Sequence, residues 1–211
     1  MTDVWSGRAQ AYRESEAHRE GRDLDLIVGW AAGATSALDV ATGGGHVARR
    51  LREAGLKVVT TDAAPGMAPD VVCRSEELPF ADGSFDVVVC RVAVHHFDDA
   101  ALAVREMARV SGGLVLISDN LYGGERLEQA EKLRDPSHVR NYGEQEWRGF
   151  LEDAGMRVDV VETIRHPIEL EPWLTRAGCP ADEAARVREL VADRLEGSKV
   201  VLDRIVIRAV K

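Results

Sequence analysis

Apolar and polar residues follow two rhythms along this chain, and the switches between them mark its elements. From Ser36 to Ala41 the run SALDVA sets Leu38 and Val40 beside small or polar neighbours, which predicts a buried strand. His46–Ala54 changes to helical spacing, with Val47, Ala48 and Leu51 on one face and Gly55 as a stop. Lys57–Thr61 predicts a second strand that ends at Asp62, and Asp70–Arg74 a third. The link between them, Ala63–Pro69, is turn-rich and too short for a full crossover helix. Phe85–Cys90 is almost continuously apolar, as in a strand covered on both faces. Arg91–Asp99 reads as a loop whose Asp98 or Asp99 can cap a helix running to Val110. Gly112–Gly113 predicts a turn into a fifth strand, Leu114–Ser118.

The flanks are less patterned. Residues 1–35 open with a polar, Arg- and Glu-rich helical segment that carries Trp5 and Tyr12 on one face. A second stripe follows at Leu24, Ile27, Val28 and Ala31. Two helices packed on a sheet account for this; a sharper reading makes the first a lid with Tyr12 facing a ligand. Beyond residue 120 the pattern predicts helices at Glu125–Arg134, around Trp147, Phe150, Leu151 and Ala154, at Glu171–Ala177 and at Ala181–Leu195. Strands are expected at Arg157–Thr163 and Val200–Val210. The charged run Glu183–Glu196 reads as a solvated helix face. Strand–helix alternation through residue 120 makes this an α/β chain with a doubly wound, mostly parallel sheet. Ligands of such sheets lie beyond the carboxyl ends of the strands, where Gly43, Asp62, Ser75, Arg91 and Asp119 all fall.

Composition narrows the partners. With 211 residues, 45% of them hydrophobic, one sizeable core is expected. A net charge of −9 argues against broad binding to nucleic acid or an anionic membrane. No run of 18 apolar residues offers stable membrane insertion, and the amino terminus is polar. Cys73, Cys90 and Cys179 are far apart, and the first two sit in apolar runs, so a reducing, cytoplasmic setting is expected. The histidines lack metal-ligand spacing, and no metal is implied. A monomer and a homodimer are equally compatible with the sequence.

The chemistry concentrates in ALDVATGGGHVA. A strand turning on glycines into a helix brings backbone N–H groups close to a ligand. Gly43, Gly45 and Ala48 fit the weak GxGxxA dinucleotide pattern, and Asp62 stands where a ribose acid is usual. Asp39 decides between ligands. A carboxylate under this turn repels a pyrophosphate and favours a ligand carrying an ammonium and a sulfonium, which points to S-adenosylmethionine.

Five blocks then resemble one family: LDVATGGGHVA, DAAPGM, EELPFADGSFDVVVCRVAVHHF, REMARVSGGLVLISDN and RDPSHVRNYGEQEWRGFLEDAGM, together spanning most of residues 36–156. The chain resembles class I S-adenosylmethionine-dependent methyltransferases, in particular the small-molecule group similar to the ubiquinone/menaquinone biosynthesis C-methyltransferases. The resemblance implies a Rossmann-like, seven-stranded sheet in order 3-2-1-4-5-7-6 with strand 7 antiparallel, here shortened between strands 2 and 3. It implies one domain over 1–211, with a cofactor-binding core at 36–120 and acceptor-side helices and closing strands at 121–211. It also implies that Asp39 and the backbone of Ala41–Gly45, including Gly43, hold the amino acid end of S-adenosyl-L-methionine. Asp62 would take the ribose hydroxyls, Ala63 and Met67 flank the adenine, and Ser75 and Glu76 edge it. Arg91 and Val92 would line the methionyl chain through backbone atoms, while His95, His96 and Phe97 face the acceptor.

Three departures stand out. The first glycine of the usual block is Ala41, the usual acid before the adenine-edge residue is Arg74, and the usual Leu-Lys-Pro before the Gly-Gly pair is shortened to Val110–Ser111. If the acceptor must lose a proton, His95 and His96 are the candidate bases, with His138 next. The leading expectation is methyl transfer to a small apolar or aromatic metabolite at carbon or oxygen. A cofactor-binding protein without turnover and an NAD(P)-dependent oxidoreductase are the alternatives.

Overall fold

The computed structural model describes residues 4–211; the first three residues of the expected lid segment lie outside the described residues. Helices α1 (Val4–Glu14), α2 (Glu16–Arg19) and α3 (Arg22–Trp30) lead into strand β1 (Ser36–Val40). Helix α4 (His46–Glu53) and strand β2 (Lys57–Asp62) follow at the expected places. The missing crossover helix is a single 3₁₀ turn, Pro65–Met67, and β3 pairs over only Val71–Val72, shorter than the expected third strand.

Strand β4 (Phe85–Arg91) runs through a 3₁₀ turn at Val94–His96 to helix α5 (Ala100–Val110). Asp99 is the cap: its carboxylate accepts from the Leu102 amide at 2.8 Å. Strand β5 begins at Ser111 and ends at Asn120, so the Gly112–Gly113 pair is not the expected turn. It lies in the strand as a bulge, where the pairing passes from Phe85↔Ser111 to Val87↔Leu114. A Cβ on Gly112 would stand 3.2 Å from the Phe85 carbonyl oxygen, so a glycine lets the backbones approach there.

Helices α6 (Glu125–Arg134) and α7 (Glu144–Asp153) precede β6 (Arg157–Glu169). This strand runs six residues past its expected end, through Pro167. It is an edge strand, where a residue without an N–H is tolerated. Helices α8 (Leu170–Arg176) and α9 (Ala181–Leu190) come next. The charged run therefore leaves the helix after Leu190 and continues into the two-residue strand β7 (Leu195–Glu196), which pairs with β8 (Lys199–Val210).

The sheet order is β3-β2-β1-β4-β5-β8-β6, with β8 antiparallel to both neighbours. Leaving aside the short β7, this is the expected 3-2-1-4-5-7-6. Because successive side chains of a strand point to opposite faces, the sheet builds two cores. Leu38, Val40, Val88, Cys90 and Ile117 pack with α5 and with Trp147 and Leu151 of α7. Ala37, Val87, Val89 and Leu116 pack with Leu24 and Ile27 of α3 and Val47 and Leu51 of α4. A third apolar cluster joins α6, α8 and α9 to Val200 and Leu202 of β8. That part of β8 pairs with the extension of β6, beyond the register it shares with β5. Trp173 and Arg176 of α8, which follows this extension, line a small chamber together with Ile168 of β6 and Leu202 and Arg204 of β8.

Candidate functional site

Strand β1 ends in a turn that only unusual backbone conformations can make. Ala41 has φ 54°, Gly43 φ 52° and Gly45 φ 76°, all left-handed. The alanine that replaces the usual glycine therefore adopts the conformation glycine would, at a cost of about 1–2 kcal/mol. Asp39 holds this turn to the helix: its Oδ2 accepts from Thr42 Oγ1 (2.6 Å) and from the Ala48 amide (3.1 Å). Its other oxygen has no hydrogen bond among the described residues. Burial is the main reason that Asp39 is pushed up to about 6 from 3.8, the two hydrogen bonds oppose this, and neighbouring Asp62 adds to it. At the tip of β2, Asp62 accepts from the Gly43 amide (3.0 Å) and the Ala64 amide (2.9 Å).

Asp39, Ala41, Gly43, Asp62, Ala63, Met67, Ser75, Glu76 and Arg91 all line one cleft of about 810 Å³, together with Tyr12, Val92, His96 and Phe97. Gly45 does not line it but caps α4 behind the turn. Arg74 lies along the rim, paired with Asp98 at 2.7 Å and Glu76 at 3.2 Å, so the departure at position 74 engages the acid expected to offset it.

Helix α1 crosses this cleft. On one wall Ser6 Oγ accepts from the Gly66 amide (2.7 Å), and a Cβ on Gly66 would collide with Ser6. On the other, Arg8 pairs with Asp135 at 3.1 Å and donates to the Ala177 carbonyl at 2.6 Å. Between them Trp5 packs edge-on to His96, ring centroids 4.6 Å apart, and His46 Nε2 donates to the Tyr12 carbonyl at 3.0 Å. Ala9, Ala64 and Met67 form a small apolar cluster beneath it.

The two adjacent histidines are treated differently. His95 is 3% exposed, with Nδ1 2.5 Å from Asp119 Oδ1 and its backbone amide donating to Asp119 Oδ2 at 3.0 Å. Burial alone would lower this ring, but Asp119 more than reverses that and holds it above the usual histidine range. His96, with Nδ1 3.0 Å from the Ser137 carbonyl, is held well below that range by burial first and then by His95. His138 is buried against Glu128 at 2.8 Å.

His95 opens not on the main cleft but on an inner chamber of about 40 Å³, which shares Tyr12, His18, Val92 and His96 with it. Val92, a β-branched residue, has φ 55° at this junction. Strain of that kind is concentrated at functional sites.

Sequence reasoning missed the charged network behind the site. Asp23 of α3 is 2% exposed and accepts from Arg91 Nε (2.6 Å), Arg204 Nη1 (3.0 Å) and Ser118 Oγ (3.2 Å). Burial resists its ionisation, yet Arg204 and Arg91 hold it well below the usual carboxylate range. Arg91 also donates to the His18 carbonyl at 2.7 Å, so its side chain fastens the N-terminal segment to β4. The one local signal was Arg204, a charge on the buried phase of β8 that it shares with Leu202 and Val206.

A family model described as a methyltransferase domain matches residues 38–117. The uncharacterized methyltransferase YcgJ of Bacillus subtilis is 30% identical over 207 residues, covering 87% of this chain and 82% of YcgJ. Its crystal structure covers 90% of this chain and 97% of its own, with TM-score 0.80 at 27% identity. The ubiquinone/menaquinone biosynthesis C-methyltransferase UbiE of Burkholderia mallei is 30% identical over 122 residues, 54% of this chain and 48% of UbiE. Magnesium protoporphyrin IX methyltransferase from Synechocystis, solved with S-adenosylhomocysteine, shares the fold with TM-score 0.60 at 15% identity, covering 92% of this chain and 84% of its own.

Proposed function

This chain belongs to the S-adenosylmethionine-dependent methyltransferases, and we propose that it methylates a small metabolite at carbon or oxygen by in-line displacement in the cleft roofed by α1. Its cofactor is S-adenosyl-L-methionine, which removes the dinucleotide alternative. The residues present suit that group. The cleft offers a buried carboxyl with one unengaged oxygen, a second carboxyl at the tip of β2, and a glycine backbone at Gly43 with open space above it. The cofactor supplies a methyl group already activated on a sulfonium, so the protein's task is alignment and exclusion of water.

In this reading Asp39 and the backbone of Ala41–Gly45 receive the amino acid end. Asp62 takes the ribose hydroxyls, Ala63 and Met67 flank the adenine, and Ser75 and Glu76 border its edge. Arg91 and Val92 line the methionyl chain. Tyr12 and the rest of α1 close the cleft and keep water out. His95 takes the acceptor's proton through Nε2, since Asp119 engages Nδ1 and so fixes the tautomer. His96, kept neutral, lies between α1 and the acceptor.

One observation carries the reading: Asp39, buried under the glycine turn with its ionisation suppressed, is the counterion a bound ammonium would restore. A net charge of −9 favours a small molecule over nucleic acid as acceptor, and among the described residues no helix is long and apolar enough to cross a membrane. The test is incubation with methyl-labelled cofactor and a metabolite extract. A labelled product absent from boiled-protein controls supports turnover. S-adenosylhomocysteine binding with no labelled product under any condition would refute it.

A further inference from the structure

The inner chamber differs chemically from the cleft it joins. Arg134, Arg176 and Arg204 lie in its wall, and among the described residues no acidic side chain does. The carboxylates near that wall are engaged, except for one Glu131 oxygen, which is buried without a hydrogen-bond partner. Glu131 bonds Arg134 at 3.0 Å, and Asp119 is taken up by His95. Asp23 is shared between Arg91 and Arg204, so two guanidiniums face one carboxylate. Arg176 has no hydrogen bond or ion pair among the described residues. Arg204 is 4% exposed, and its Nε is a buried donor without an acceptor. Donors left in that state are unfavourable unless a ligand satisfies them.

The surrounding groups report the same excess of positive charge. His166, in the wall, is pushed down to about 4 by burial and then by Arg204. The Tyr12 phenol, raised by its burial, is drawn back by Arg134 and Arg176. This is a cationic chamber inside a chain whose net charge is −9.

We propose that the chamber binds a carboxylate carried by the methyl acceptor, so that the substrate is an organic acid held by its anionic end. Arg176 and Arg204 grip the carboxylate, which leaves the reacting atom at the junction beside Val92, His95 and His96. The chamber is small, about 40 Å³, which suits a compact anionic group such as a carboxylate. The apolar wall, Ile168, Leu202 and the Trp173 ring on which Arg134 stacks at 4.5 Å, confines the group without competing for its charge. This inference rests on the methyl-transfer reading of the cleft.

Acetate and its neutral isostere acetamide test it by ligand-detected NMR on the S-adenosylhomocysteine complex at constant ionic strength. Acetate is expected to bind about tenfold tighter than acetamide, and Arg176→Gln to weaken acetate by about the same factor, while Arg176→Lys retains most of the affinity. Arg176 is half-buried and bonded to nothing, so its replacement leaves no partner stranded, and unchanged S-adenosylhomocysteine affinity verifies that the variant is folded. Equal binding of acetate and acetamide, or no loss in Arg176→Gln, overturns the carboxylate chamber alone. Failure of S-adenosylhomocysteine to bind the wild-type protein overturns the cleft reading and this one with it.

Discussion

Replacing Asp39 with Asn separates two things that the carboxylate does. Asn keeps an oxygen that can accept from Thr42 Oγ1 and the Ala48 amide, so the turn and the start of α4 retain their hydrogen bonds. It removes a charge that burial disfavours. A carboxyl titrating at about 6 instead of 3.8 destabilises the native state by up to about 3 kcal/mol once it is ionised. The sign follows from the direction: the folded state binds the proton more tightly than the unfolded one, so stability falls as pH rises from about 4 through about 6 and stays low above that. Asp39→Asn should therefore melt higher than wild type by about 6–12 °C near pH 8 without ligand, and the gap should close below about pH 4. Binding should move the other way. The amide offers an N–H where the ammonium of the cofactor needs an acceptor, and S-adenosylhomocysteine affinity should fall by about 10- to 100-fold at the higher pH. Differential scanning fluorimetry across pH, with and without S-adenosylhomocysteine, reads both effects. A variant that melts no higher than wild type at the higher pH, or binds S-adenosylhomocysteine equally well, would refute the role given to Asp39.

Three further perturbations probe the rest of the site. Asp23→Ala strands Arg91 and Arg204 in the interior and should lower stability by about 3–5 kcal/mol in urea denaturation; a loss typical of a surface ion pair would mean that water already reaches the network. Gly66→Ala places a Cβ against Ser6 and should detach α1, raising amide exchange across Val4–Glu14 and speeding S-adenosylhomocysteine release about tenfold; unchanged exchange there would show that α1 is not the lid. Asp119→Asn removes the group that raises His95 but not its burial, so NMR titration should find His95 moved from above the usual histidine range to below it, with His96 low in both proteins; an unmoved His95 would break the proposed dyad.

The central strands were legible because their cores are local. Leu38 and Val40, or Val87 and Val89, reveal a covered strand within a few residues, and Asp39 stood out because it interrupted such a run. Elements whose limits depend on a neighbour were misjudged. Gly112–Gly113 resembles a turn, yet pairing with Phe85 absorbs both residues into β5 as a bulge. Pro167 resembles a stop, yet β8 supplies a ladder along which the edge strand continues to Glu169. Neither outcome is written in the segment concerned.

The acceptor end was hidden for a related reason, and charge shows why it matters. Arg134, Arg176 and Arg204 come from α6, α8 and β8 and share no spacing that a motif could encode; only folding of the β6–β8 extension brings them to one wall. The cleft lined by Asp39 and Asp62 suits a cation, and the chamber lined by Arg176 and Arg204 suits an anion. His95 and His96 stand between the two. Such a division sorts the partners before any shape complementarity applies, because a cofactor offered to the wrong end meets like charge in a region of reduced screening. Asp23 joins α3, β4 and β8 and neutralises one of the two guanidiniums it touches, leaving the other in excess. That single carboxylate thus holds the N-terminal segment in place and limits the positive charge of a chamber to which Arg176 also contributes. A substitution there should disturb the N-terminal segment and acceptor binding together, whereas a substitution of Arg176 should affect the acceptor alone.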